Sequence, residues 1–140
     1  MPHLTLEHSA NLRDAGIATL VRTLAQVLVA QRSADSRAVY PIGGVRVRAI
    51  ACDDFCIADG SLPDSAAFLH ARLAIGAGRS DATKRATGDA LFDAIKAHFA
   101  PRFAQHGLAL SLEIAEFSET GTWKHNNLHA RFATGSRSSA

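Results

Sequence analysis

Apolar residues recur along this chain with two periods, and the two periods alternate. Residues 3–8, HLTLEH, step between polar and apolar with period two, the signature of a strand with one buried face. Ile17, Leu20, Val21, Leu24 and Leu28 then recur at the i, i+3, i+4, i+7 spacing, which predicts an amphipathic helix within residues 13–32. Pro41, Gly43 and Gly44 mark a turn, and residues 45–51, VRVRAIA, alternate apolar with arginine before becoming continuously apolar, a second strand. A looser stretch follows, CDDFCIADGSLPDS, with turn chemistry at Asp59-Gly60 and Pro63. The order then repeats. Residues 67–75, AFLHARLAI, read as a strand, and GAGRSD as a turn in which Ser80 can cap a helix and Asp81 complements its dipole. Residues 81–104 carry Leu91, Ile95, Phe99 and Phe103 on one face, so Phe99, Phe103 and also Phe92 are expected in the core. Pro101 is expected to kink or end this helix. Residues 108–116, LALSLEIAE, are a fourth strand, residues 127–132 a short strand or helix, and residues 134–140 are expected to be disordered.

This order is strand, helix, strand, twice over. Strands joined through a helix of about twenty residues imply a right-handed parallel crossover, and two such units suggest an internal duplication of about 65 residues. The predicted fold class is α/β (α+β in some schemes). A single domain spans residues 2–132, with repeat 1 at about 2–58, repeat 2 at about 66–118, and a further segment at about 120–132. Both helices lie on one face of a four-stranded sheet. The strands VRVRAIA and LALSLEIAE look too apolar to leave the other face in water, which predicts an oligomer.

Composition narrows the class. At 140 residues, 47% hydrophobic and 20% charged, the chain has the size and make-up of one globular domain. No apolar run reaches the roughly 18–20 residues that span a bilayer, and the first residues lack the pattern of a signal peptide. Cys52 and Cys56 cannot make a disulfide framework. A cytoplasmic protein without a membrane partner is expected. Fifteen Lys+Arg against thirteen Asp+Glu give +2 overall; Lys124, Arg131 and Arg137 supply +3 within residues 120–140, which leaves −1 for residues 1–119. There is no clustered basic stripe, so no nucleic-acid partner is expected. Cys52-x3-Cys56 lacks the second pair that a zinc site needs, and Asp81 stands where a dinucleotide fingerprint needs glycine. No metal and no cofactor is predicted.

Three residues carry candidate chemistry. If Met1 is removed, Pro2 begins the chain with a secondary amine. An α-amino group titrates near 7.7–8.0, and burial beside cations lowers that value and leaves a neutral base near pH 7. Arg46 lies in a strand between apolar neighbours, where a charge needs a partner. Arg79 lies just before a helix N-terminus, where backbone N–H groups favour anions. Two guanidiniums and a helix start describe a carboxylate-binding pocket. Arg48 and Arg72 read as salt-bridged or solvent-facing, and His125, Asn126, Asn127 and His129 as groups that satisfy edge backbone or close a neighbouring subunit's site. Aligning the two repeats puts Leu69 opposite Pro2, Ser111 opposite Arg46, and Asn11-Leu12-Arg13 opposite Gly78-Arg79-Ser80. The second repeat has no free amine, so one site per chain is expected.

Pro2 in MPHLTLEHSANL, YPIGGVRVR at 40–48, LAIGAGRSDATKR at 73–85 and KHNNLHARF at 124–132 together resemble the tautomerase superfamily and, within it, the 5-carboxymethyl-2-hydroxymuconate isomerases. The resemblance covers roughly residues 2–132. It implies a mixed four-stranded sheet like that of macrophage migration inhibitory factor, a homotrimer, and a cofactor-independent isomerase with Pro2 as general base. It implies that Arg46 and Arg79 hold carboxylates and the growing oxyanion of a small polycarboxylate substrate. The implied reaction converts 5-carboxymethyl-2-hydroxymuconate to its 2-oxo isomer in homoprotocatechuate (4-hydroxyphenylacetate) breakdown. Two alternatives remain at this stage: a tautomerase of another enol or muconate, and a catalytically silent trimer that binds a ligand or partner.

Overall fold

A computed structural model of the chain describes residues 1–134. Strand β1 (His3–Ser9) leads through a 3-10 turn (Ala10–Leu12) into helix α1 (Ile17–Ala30), and a second 3-10 turn (Ile42–Gly44) precedes β2 (Arg46–Cys52). The second unit is β3 (Ala67–Gly76), α2 (Asp81–Gln105) and β4 (Leu108–Phe117), followed by a short helix α3 (Leu128–Thr134). The sheet order is β2-β1-β3-β4. β1 runs parallel to β2 and β3 parallel to β4, and the two units meet antiparallel at β1 and β3.

The period-two strands decide which face is covered. Leu4 and Leu6 of β1 and Leu69, Ala71, Leu73 and Ile75 of β3 are fully buried, together with Leu20, Leu24 and Leu28 of α1 and Leu91, Ile95 and Phe99 of α2. Both helices therefore pack on one face of the sheet. Each fully buried leucine contributes about 1.5–3 kcal/mol by leaving water. The sequence periodicity placed these elements within a few residues of their observed bounds. α1 is shorter than the window of residues 13–32 but holds every apolar position from Ile17 to Leu28, and Gly16 enters it from a left-handed conformation (φ 70°). Ser80 caps α2 as expected, its side chain accepting from the Thr83 N–H at 3.1 Å.

Three expectations are corrected. α2 does not end at Pro101 but continues to Gln105. Proline removes one donor only, and the bond after it re-forms, with His106 N–H donating to Arg102 O at 2.9 Å. Phe103 is 62% exposed rather than in the core. One turn beyond Phe99 the helix face has drifted outward, and Phe103 lines a shallow groove with Phe92, Ala100 and Leu110 at the β4 edge. The open sheet face is polar, not apolar. Val47, Ala49, Leu110 and Leu112 pack against the core, while His3, Thr5, Glu7, Arg48, His70 and Arg72 line the other side. The oligomer predicted from an apolar open face thus loses that reason. Among the described residues no helix is long and apolar enough to cross a membrane. Of the tail expected to be disordered, Thr134 is the last residue of α3, and residues 135–140 lie outside the described residues.

Candidate active site

The parallel register puts the start of β1 beside the start of β2, with His3 opposite Arg46. Arg46 N–H donates to Pro2 O at 3.1 Å, which fixes the amino end of the chain, and Pro2 is buried. In the second unit β3 and β4 are likewise parallel, with His70 opposite Ser111, the residue that the repeat alignment matches to Arg46. Leu12, the counterpart of Arg79, is fully buried.

Each arginine is held by backbone carbonyls. Arg46 Nη1 donates to Gly43 O at 3.1 Å. Arg79, in the β3–α2 turn, donates from Nη1 to Gly76 O and from Nη2 to Val39 O, both at 3.2 Å. Its guanidinium lies 4.8 Å from the centre of the Tyr40 ring. Tyr40 is itself fully buried and shares a 2.9 Å hydrogen bond between its hydroxyl and Thr87 Oγ1. Val39 N–H donates to Gln31 O at 3.0 Å, so the α1–β2 loop is braced where it presents its carbonyl and ring to Arg79. A stacked guanidinium with two fixed carbonyl partners is oriented before any ligand arrives.

The chain's amino group, here on Met1, is held below its ordinary value of 8.0. Burial is the largest cause, followed by the positive charges of Lys124 and Arg79; Glu119 opposes them, and Arg46 adds a smaller push. One chain therefore brings Pro2, Arg46 and Arg79 into one electrostatic neighbourhood. His3, on the open sheet face, is likewise pushed down by burial and by Arg48 and Arg46.

The C-terminal segment closes over this end. Asn126 Nδ2 donates to Gly43 O at 3.1 Å and approaches Met1 Sδ at 3.4 Å. Gly43 O thus accepts from both Arg46 and Asn126, which fills both of its lone pairs. Gly43 is required by close approach, since a Cβ there would fall 2.6 Å from His129 N and 2.8 Å from His129 Cα. His129 is near the site through its backbone, and Asn127 O accepts from Arg131 N–H at 3.3 Å, closing the first turn of α3. Arg48 and Arg72 stay on the open face, Arg48 Nη1 at 3.3 Å from His3 Nδ1 and Arg72 paired with Glu113 at 3.3 Å. Three residues of the site are not marked by the sequence pattern: Glu119 and Lys124, which act on the amine, and Tyr40, which stacks on Arg79. In the sequence Lys124 reads only as one charge of a basic C-terminal segment. Its place in KHNNLHARF was the one available signal.

Among the described residues no cluster of three or more His, Cys, Asp or Glu side chains is gathered to hold a metal ion. What the arrangement can do is bind an anion beside an amine that is easily deprotonated.

A mixed four-stranded sheet built from two β-α-β units is the fold of the tautomerase superfamily. The W0 fused 4-OT symmetric trimer shares it at 13% identity, with a TM-score of 0.58 over 88% of this chain and 93% of that one. Within the superfamily, the model of the 5-carboxymethyl-2-hydroxymuconate isomerase family matches residues 2–132. The chain is 38% identical over 133 residues to the 5-carboxymethyl-2-hydroxymuconate Delta-isomerase of Escherichia coli, covering 94% of this chain and 99% of that protein. The crystal structure of a 5-carboxymethyl-2-hydroxymuconate isomerase from Deinococcus radiodurans R1 is 52% identical, with a TM-score of 0.84 over 94% of this chain and 93% of that one. The chain belongs to the 5-carboxymethyl-2-hydroxymuconate isomerase family.

Proposed function

We propose that the chain, once Met1 is removed, converts 5-carboxymethyl-2-hydroxymuconate to its 2-oxo isomer without a cofactor, in the breakdown of homoprotocatechuate. The observation that carries this reading is the amino group held below its ordinary value by burial and by Lys124, Arg79 and Arg46. Removal of Met1 moves the free amine one residue inward, to buried Pro2. The Pro2 nitrogen takes the proton of the 2-hydroxyl, the electron pair shifts through the conjugated diene, and the same nitrogen returns a proton to the distal carbon. Arg46 and Arg79 hold carboxylates and the negative charge that grows on the 2-oxygen. A neutral amine near pH 7 suits both halves of this transfer.

A homotrimer is part of the proposal. β2 and β4 are the outer strands and present free edges, and Ile42, Ile50, Trp123 and Leu128 are exposed. The fused 4-OT relative is itself a trimer.

The test follows the ultraviolet absorbance of the dienol, with intact mass confirming that Met1 is gone. Pro2→Ala leaves a primary amine on a freely rotating backbone. It is expected to lose about tenfold in kcat/KM, less than the roughly 10²–10⁴-fold of a whole positioned base, because an amine remains in place. Equal rates for the two proteins would overturn the proposal.

A further inference from the structure

Lys124 is the cation nearest in effect to the amino terminus, yet nothing in the fold requires its charge. Its Nζ lies 3.0 Å from Glu119 Oε2 and 5.9 Å from the centre of the Phe117 ring. The two partners are 32% and 63% exposed, and an ion pair this open stabilises a fold by only about 0–1 kcal/mol. The pair is nevertheless seated against the site. Glu119 Oε1 lies 2.9 Å from the position of a Cβ on Gly76, so Gly76 leaves room for the carboxylate. The carbonyl of the same Gly76 accepts from Arg79. Two residues beyond Lys124, Asn126 contacts both Met1 and the carbonyl that holds Arg46. Lys124 is thereby tied to the amino end from two directions, through Glu119 at Gly76 and through Asn126 at Met1 and Gly43.

We propose that Lys124 is a third carboxylate-binding residue, which leaves Glu119 and engages the carboxylate that distinguishes a tricarboxylate from a dicarboxylate ligand. The inference rests on the isomerase reading for its natural ligand but not for its chemistry. Three cations, Arg46, Arg79 and Lys124, meet three carboxylates, and Glu119 holds the flexible lysine in place until a ligand carboxylate replaces it. The exchange moves no covalent bond and needs no proton. An ammonium on a four-carbon stem suits the role, since it can swing between two acceptors while the arginines stay fixed.

Calorimetric binding of tricarballylate and of glutarate, which is tricarballylate without its central carboxylate, tests this on the processed protein. Lys124→Met removes the charge and keeps an unbranched side chain of similar reach. It is expected to weaken tricarballylate about tenfold, the size of one charge-assisted hydrogen bond at a half-open position, and glutarate less than twofold. Lys124→Arg is expected to restore most of the loss, and Glu119→Gln to tighten tricarballylate. Equal weakening of both ligands by Lys124→Met, or no weakening of either, would overturn the proposal. In turnover the same variant is expected to raise KM for 5-carboxymethyl-2-hydroxymuconate more than for 2-hydroxymuconate. A wild-type protein that binds tricarballylate in this way but turns over neither enol would overturn the isomerase reading and leave the Lys124 subsite supported.

Discussion

A chain that carries several extra residues ahead of Pro2 is expected to lose about 10²–10⁴-fold in kcat/KM, the usual contribution of a positioned acid or base. The reason is electronic. In a peptide bond the proline nitrogen shares its lone pair with the carbonyl and cannot take a proton. Extension also carries the terminal amine away from Lys124, Arg79 and Arg46, whose charges act on it in the present chain. The fold has little stake in the change, because the residue ahead of Pro2 lies outside the buried core, against Asn126 Nδ2 and Gly44. The measurement compares the extended protein with the same preparation trimmed to Pro2, using dienol absorbance for rate and thermal unfolding for stability. Activity that appears on trimming, with an unchanged melting temperature, is the expected outcome. Equal rates before and after trimming would place the base elsewhere.

Replacement of Arg79 by alanine is the second large effect. Its guanidinium is fixed by Gly76 O, Val39 O and the Tyr40 ring, so it meets a ligand already oriented. Loss of one such preorganised donor costs about 10²–10³-fold in kcat. A tricarboxylate substrate is expected to lose more than a monocarboxylate enol, because charge on the ligand is what the guanidinium reads. Arg79→Lys keeps the charge but not the fork and is expected to fall between. Uniform loss across substrates, with a lowered melting temperature, would mean that Arg79 only ties the β3–α2 turn to the α1–β2 loop.

Much of the frame was legible because burial writes itself into period. Leu4 and Leu6, and Leu69 to Ile75 at alternate positions, could be read as one covered sheet face without any structure. The open face is not legible in the same way, because the apolar end of VRVRAIA masks its alternation. Val47 and Ala49 point inward, while Arg46 and Arg48 share the face of His3 and Thr5. Phe103 was misread for a related reason: a stripe of i, i+4 residues drifts around a long helix, and the last member leaves the core. Pro2, Arg46 and Arg79 could be singled out because each is an unusual residue for its position. Lys124 and Glu119 could not, since a lysine in a polar loop looks like any solvated charge. They reach the amine only through the turn after β4 and the docking of α3 on residues 42–44, which are long-range consequences of packing. The same holds for Tyr40, whose role depends on Arg79 arriving from the other repeat.

The central claim is that the Pro2 amine is the base, and its own titration tests this most directly. Protein trimmed to Pro2 and labelled with 15N-proline would be titrated by NMR, following the amine nitrogen, alongside the pH dependence of kcat/KM. Burial, Lys124, Arg79 and Arg46 disfavour the ammonium, so the proton leaves at lower pH than from an ordinary α-amino group. Activity, which needs the neutral amine, must then rise with pH through that same point and level off above it. The account predicts one inflection, shared by the nitrogen shift and the rate, below the value the same amine shows in an unstructured peptide that begins with proline. A Pro2 nitrogen that titrates at or above that value, or a rate whose rise falls at a different pH from the nitrogen's, would contradict it.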